Sequence, residues 1–254
     1  MQSVQRVKEK MEKIEYPAGS TEKWFGGVKH KFRFEGHDAF IVEPEKPAEG
    51  VPWSWCLEWP DAFVERCAAP ELLAKGFHHV HVNVHGTWAS PEGMKVLEAF
   101  YAMLMKLGFH KKAMLMGLSM GGLYSFRFAM ENPEKVAVIY GDAPVCDLRE
   151  YPEGNRGKVY AAYGFKSPGD PRISKLNPME HLDILVRAKI PVILVVGTAD
   201  EVVIPALHSD RLEKRYRELG GEIKVLRRPY VGHHPHGYDD PSQVVDFVLA
   251  HSPA

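Results

Sequence analysis

Ser119 sits in Gly117-Leu118-Ser119-Met120-Gly121, with a further glycine at position 122. A serine hydroxyl is a weak nucleophile at neutral pH and attacks a carbonyl only when a base within hydrogen-bond reach takes its proton. Ahead of the pentapeptide, Ala113-Met114-Leu115-Met116 is apolar and short enough for a buried strand; after it, Leu123 to Met130 suits a helix that Asn132-Pro133 stops. Strand, G-x-S-x-G and helix together describe a nucleophile elbow, a turn too tight for side chains at the glycine positions that pushes the hydroxyl out at the strand's carboxyl end. The pentapeptide alone arises by chance in about one chain in ten of this size. Its setting is what gives it weight.

A base needs an acid to hold its tautomer and to stabilise the imidazolium that forms. On a sheet of this kind the chain order is Ser, then Asp or Glu, then His, each at a strand's carboxyl end. Asp200 follows the apolar strand ending at Val196, and Gly232-His233-His234-Pro235-His236-Gly237 follows the last strand. Asp142, at the end of the preceding sheet strand, is the alternative acid. The oxyanion formed on attack needs two donors. The Met120 N–H, at the helix start where the dipole helps, is one. The other is expected from the loop after Trp53-Ser54-Trp55, with Trp59 as candidate because Pro60 has no N–H, and Asp61 next. His233, His234 and His236 could in principle hold zinc, but adjacent residues rarely converge on one ion and no Asp, Glu or Cys completes the set. No metal and no cofactor is expected. His78, His79 and His81 belong to a buried strand and are read as packing.

The elements that must position these residues alternate. Strands are expected at 30–34 and 39–42 around a turn at 35–38, then at 53–59, 77–84, 113–116, 136–140, 190–196 and 222–226. Helices are expected at about 61–76, with Pro70 breaking or kinking it, and at 91–107, 123–130, 207–219 and 242–251. Strand–helix alternation implies right-handed crossovers and an α/β fold, a mostly parallel sheet covered on both faces, with antiparallel strands at the amino-terminal edge. Residues 1–29 read as an amino-terminal arm or helix and 30–254 as one domain. The proline- and aromatic-rich 144–178 is too long for a connection and reads as a small lid.

Composition narrows the function. The 254 residues are 45% hydrophobic and 26% charged with formal net charge −1, so no basic field attracts nucleic acid, and the Arg211 to Arg217 run is interleaved with acids. No apolar run approaches the roughly 18 residues of a membrane span, and Gln2 to Lys13 lacks a signal-peptide core. Cys56, Cys67 and Cys146 are odd in number and unpaired in spacing, as buried free thiols of a reducing compartment would be. A cytoplasmic protein, in which a homo-oligomer is compatible, is expected.

On the elbow around Ser119, Pro52-Trp53-Ser54-Trp55, Asp142-Ala143-Pro144-Val145-Cys146-Asp147, the turn from Gly197 to Asp200 and the terminal histidine motif, the chain resembles α/β-hydrolase superfamily serine hydrolases over about residues 30–250. Within them it is similar to compact bacterial prolyl-oligopeptidase-like and carbohydrate-esterase-like members. The resemblance implies an α/β-hydrolase fold and a Ser119, Asp200, His233 triad. His233 matches the Gly-His pattern, His234 is the alternative base, and His236 braces the loop. It further implies an acyl-enzyme reaction on a small or carbohydrate-linked ester, with Trp55, Trp59, Trp88, Tyr151, Tyr160 and Tyr163 as an aromatic entrance. A prolyl-oligopeptidase-like peptidase, against which the chain shows no propeller repeats, and a non-catalytic binding protein on the same scaffold are the alternatives.

Overall fold

The computed structural model describes residues 14–252. Nine strands form one sheet: β1 (Ser20–Trp24), β2 (Gly27–Phe34), β3 (His37–Glu43), β4 (Trp53–Cys56), β5 (His78–Val82), β6 (Ala113–Leu118), β7 (Val136–Asp142), β8 (Val192–Gly197) and β9 (Ile223–Arg228). Their order is β1-β2-β3-β5-β4-β6-β7-β8-β9. β1, β2, β3 and β5 pair antiparallel, and every pairing from β5 through β9 is parallel. The first thirteen residues of the expected arm lie outside the described residues. The rest of it carries β1, a strand so polar and exposed that it has no burial pattern to reveal it.

Period-two alternation explains how the sheet builds two cores. Trp53, Trp55, Leu115, Ile139, Val192 and Leu194 face one side, where they meet α2 (Pro91–Lys106), α3 (Met120–Glu131), α6 (Leu182–Arg187) and α7 (Ser209–Glu218). Met114, Met116, Val138, Tyr140, Ile193 and Val195 face the other, against α1 (Ala69–Ala74) and α8 (Ser242–His251). This is the mostly parallel sheet with helices on both faces that the alternation implied. The helix expected over 61–76 is shorter than that: a single 3-10 turn at Val64–Arg66, then α1. Phe63 and Ala68 adopt left-handed backbone that interrupts the run, and Pro70 falls in the first turn of α1, where a missing N–H costs nothing.

The segment between β7 and α6 holds α4 (Glu153–Tyr163) and α5 (Ile173–Leu176). It lies down on the body of the fold: Val159, Tyr160, Tyr163, Phe165 and Ile173 join the α2–α3 core, and the Tyr163 hydroxyl donates to Ala89 O at 2.6 Å. α3 is thereby enclosed, with every residue from Met120 to Met130 buried. Cys56, Cys67 and Cys146 are buried and free.

Candidate active site

β6 ends at Leu118 and α3 begins at Met120, leaving Ser119 alone to turn the chain. Its φ of 50° and ψ of −116° lie in a region that a side chain occupies only when the surroundings impose it. They do. The Ser119 N–H donates to Asp142 O at 2.8 Å, and Ser119 O accepts Gly122 N and Val145 N at 3.0 and 2.9 Å. A Cβ at Gly117 would stand 2.4 Å from Gly121 O, so the strand cannot approach its own helix with any larger residue there.

The candidate base and acid come from neighbouring strand ends. Asp200 lies just past β8, and His233 lies in the loop between β9 and α8. These two segments are zipped together: Thr198 N donates to Arg228 O at 3.1 Å, Ala199 N to Val231 O at 2.9 Å, and Tyr230 N to Thr198 Oγ1 at 2.9 Å. Gly197 makes the approach possible, since a Cβ there would sit 2.4 Å from both Val231 O and Gly232 O. The result is a continuous series. His233 Nε2 is 3.0 Å from Ser119 Oγ, and His233 Nδ1 is 2.8 Å from Asp200 Oδ2. Asp200 Oδ1 accepts the Val202 and Val203 amides at 2.8 and 2.9 Å. Burial opposes ionisation of Asp200, but His233 and these two amides outweigh it and hold the carboxyl below the usual range. With the proton on Nδ1, the imidazole presents a lone pair to the serine hydroxyl, the arrangement a general base requires.

Asp142 is engaged elsewhere. Its Oδ1 accepts His236 Nδ1–H at 2.6 Å, while Oδ2 accepts the Tyr140 hydroxyl and the Gly237 amide, both at 2.7 Å. All its partners are spoken for, and none is His233. His236, expected to brace the loop, makes that contact with Asp142, and Arg66 Nε donates to its carbonyl at 2.8 Å. His234 makes no hydrogen bond to the serine and stacks on Phe63, ring centroids 5.5 Å apart.

This architecture has known counterparts. The model of the prolyl oligopeptidase family matches residues 72–251, well over half the chain. The chain belongs to the prolyl oligopeptidase family. It is thus a serine hydrolase of the α/β-hydrolase superfamily. Among solved structures it is similar to a Mycobacterium tuberculosis puromycin-hydrolyzing peptidase (17% identity, TM-score 0.70, covering 89% of this chain and 38% of that one). It is also similar to the Pyrococcus horikoshii acylaminoacyl peptidase (14%, TM-score 0.69, 92% and 42%). The esterase Est1E from Butyrivibrio proteoclasticus matches at 16% identity and TM-score 0.61, covering 88% of this chain and 98% of that one. The chain thus spans about two fifths of the two peptidases and nearly all of Est1E. Curated protein sequences give no match.

In this family member the loop after β4 runs beside the elbow. Leu57 N donates to Met116 O at 3.1 Å, and a Cβ at Gly121 would lie 3.2 Å from Glu58 Cβ. Trp59, directly after Glu58, then turns left-handed at φ 59°. Asp61 is exposed, with Oδ1 3.5 Å from Lys29 Nζ. The sequence offered no sign of Glu58. It is buried and accepts His85 Nδ1–H at 2.7 Å, yet its second oxygen meets no donor among the described residues. Burial, only partly offset by His85, raises its pKa.

The aromatic entrance is corrected by packing. Trp55 is fully buried against Phe100 and Phe128, and Tyr160 and Tyr163 pack on Phe165. Tyr151 is buried edge-on to Trp88. Of these six aromatics, Trp59, 40% exposed, is the one left open to solvent. His78, His79 and His81 serve the core. Burial pushes them down to about 4, 3 and 4, and they bond Tyr16, Ser54 and Cys56 O. Among the described residues no helix is long and apolar enough to cross a membrane.

Proposed function

We propose that the protein hydrolyses carboxylic esters by way of an acyl-enzyme on Ser119. The unbroken hydrogen-bond series from Ser119 through His233 to Asp200 carries this reading. His233 Nε2 takes the serine proton as Oγ bonds to the ester carbon, and Asp200 stabilises the imidazolium. The tetrahedral oxyanion is held by the amides of Met120 and Trp59. Met120 N–H, first in α3, has no partner within the helix, and each such donor is worth roughly 3 kcal/mol of transition-state stabilisation. His233 then returns its proton to the departing alcohol, a water takes its place, and the same steps in reverse order release the acid.

Esters suit the open setting around Trp59 because an alkoxide leaves with less protonation help than an amine. A small or sugar-linked alcohol would lie against the exposed Trp59 ring. Family membership and the two peptidases of similar fold favour a second reading, cleavage of aminoacyl or short peptide amides. A panel of p-nitrophenyl acetate, longer acyl esters, acetylated sugars and aminoacyl naphthylamides separates them. Ester turnover lost in Ser119→Ala, with the amides left intact by the wild type, supports the proposal. Faster amide turnover overturns it. A fluorophosphonate probe that labels Ser119→Ala as fast as the wild type removes the nucleophile from both.

A further inference from the structure

The loop that carries His233 brings two more imidazoles to the same place. His233, His234 and His236 each offer a ring nitrogen within 4.8 Å of the others, and the three rings meet edge to face with centroids 4.8, 5.0 and 4.9 Å apart. Sequence adjacency argued against such convergence, but the compact turn from Gly232 to Gly237 produces it. We propose that these three side chains form a binding site for a divalent transition ion such as Zn2+, and that occupancy switches the hydrolase off.

The chemistry around the rings favours a metal. His233 Nδ1 is tied to Asp200 at 2.8 Å and His236 Nδ1 to Asp142 at 2.6 Å. Carboxylate-to-imidazole bonds of this kind fix the tautomer and raise the basicity of the opposite nitrogen, as they do behind metal-bound histidines. Both rings then hold their proton on Nδ1 and present an Nε2 lone pair, so neither must lose a proton to bind. Phe63 walls the cluster, stacked on His234 and edge-on to His236. His234 is exposed, which gives the ion a way in from solvent. Zn–N bonds of about 2.0–2.1 Å place tetrahedral nitrogens roughly 3.3 Å apart, so the rings close by up to about 1.5 Å. His234, at the surface, is the ring free to make that movement. Water fills the fourth position.

The consequence for hydrolysis follows from one lone pair. Coordination uses the Nε2 electron pair that otherwise accepts the Ser119 proton, so the ion and the nucleophile compete for it. This inhibitory half rests on His233 being the base; binding itself does not. Calorimetry with ZnCl2 on the full chain is expected to give one ion per chain. In parallel, p-nitrophenyl acetate turnover falls as the site fills and returns on adding EDTA. His234→Ala, outside the hydrogen-bonded series, keeps its zinc-free turnover. In this variant binding and inhibition both weaken by at least the roughly 10–100-fold that losing a supporting partner costs. Absence of zinc binding in the wild type overturns the site, as does binding that His234→Ala leaves unchanged. Binding that depends on His234 but spares turnover overturns the switch alone; turnover that survives in zinc-free His233→Ala is the separate result that removes His233 as base. If no ester is turned over at all, calorimetry still decides the site.

Discussion

Replacing Asp200 by Asn tests the hydrogen-bonded series at its most informative point, because the two carboxylate oxygens do different work. Oδ2 accepts His233 Nδ1–H, while Oδ1 accepts two backbone amides, Val202 at 2.8 Å and Val203 at 2.9 Å. An asparagine has one acceptor and one NH2. If its oxygen faced His233, the NH2 would confront two backbone donors, each left unsatisfied at about 1–3 kcal/mol. The oxygen therefore turns to the backbone, and the NH2 faces His233 Nδ1. To avoid donor against donor, the imidazole must move its proton to Nε2, where it points at Ser119 and no lone pair remains to act as base. Loss of the correct tautomer costs about 10⁴ in kcat, or about 5 kcal/mol of barrier. The expected result is a folded variant whose p-nitrophenyl acetate kcat and fluorophosphonate labelling rate both fall by about four orders of magnitude. A variant within about tenfold of wild type would refute the reasoning, since no tautomer argument survives so small an effect.

Asp142→Asn should behave differently. Its oxygen can stay with Tyr140 and Gly237, and His236 can shift its proton to Nε2 because no nucleophile depends on that ring. We expect kcat within about tenfold of wild type and a loss of about 1–2 kcal/mol in a denaturant melt; a collapse of kcat as deep as that of Asp200→Asn would make Asp142 the acid. Gly197→Ala sets a methyl 2.4 Å from two carbonyl oxygens of the base loop. Strain of about 1–3 kcal/mol and a lower kcat with little change in KM are expected, and an unaltered Tm and rate would count against the close approach. Two carboxyls give stability opposite pH dependences. Asp200, held low, contributes stability above its unfolded pKa that is lost as pH falls through its folded one. Glu58, raised by burial, contributes stability at low pH that is lost as pH rises through its folded pKa. Glu58→Gln should therefore gain on the wild type, in denaturant midpoint, as pH climbs above the ordinary glutamate value; a gap that stays constant with pH removes the charge argument.

The features legible in the sequence share a physical cause: each was local. The buried parallel strands β6, β7 and β8 announce themselves as short apolar runs, and Ser119 and Asp200 stand at their carboxyl ends because the fold's chemistry gathers there. What stayed hidden depends on long-range pairing. Asp142 and His236 are 94 residues apart, and nothing in either neighbourhood names the other. Glu58 and His85 meet only because β4 and β5 lie side by side. β1 is set by its partner β2 and not by any apolar pattern of its own. The aromatics misread as an entrance show the same limit: composition reveals a sticky segment, but only packing decides whether it faces solvent or Phe165.

The two carboxylate–imidazole pairs divide one task. Asp200 tunes His233, whereas Asp142 fixes where His233 stands relative to the serine. The backbone carbonyl of Asp142 receives the Ser119 N–H, and its side chain receives His236 and Gly237 from the base loop. One residue at the end of β7 thus sets both sides of the 3.0 Å gap between Oγ and Nε2. Arg228 reinforces it by donating to Gly237 O at 2.8 Å. Such bracing matters because the proposed base sits on a loop, and a displacement of about 1 Å at a reacting pair can cost about 10²-fold in rate. The same bracing explains why the histidines crowd together. A loop drawn tightly enough to hold one imidazole on Ser119 also gathers its neighbours close by, His236 against Asp142 and His234 against Phe63.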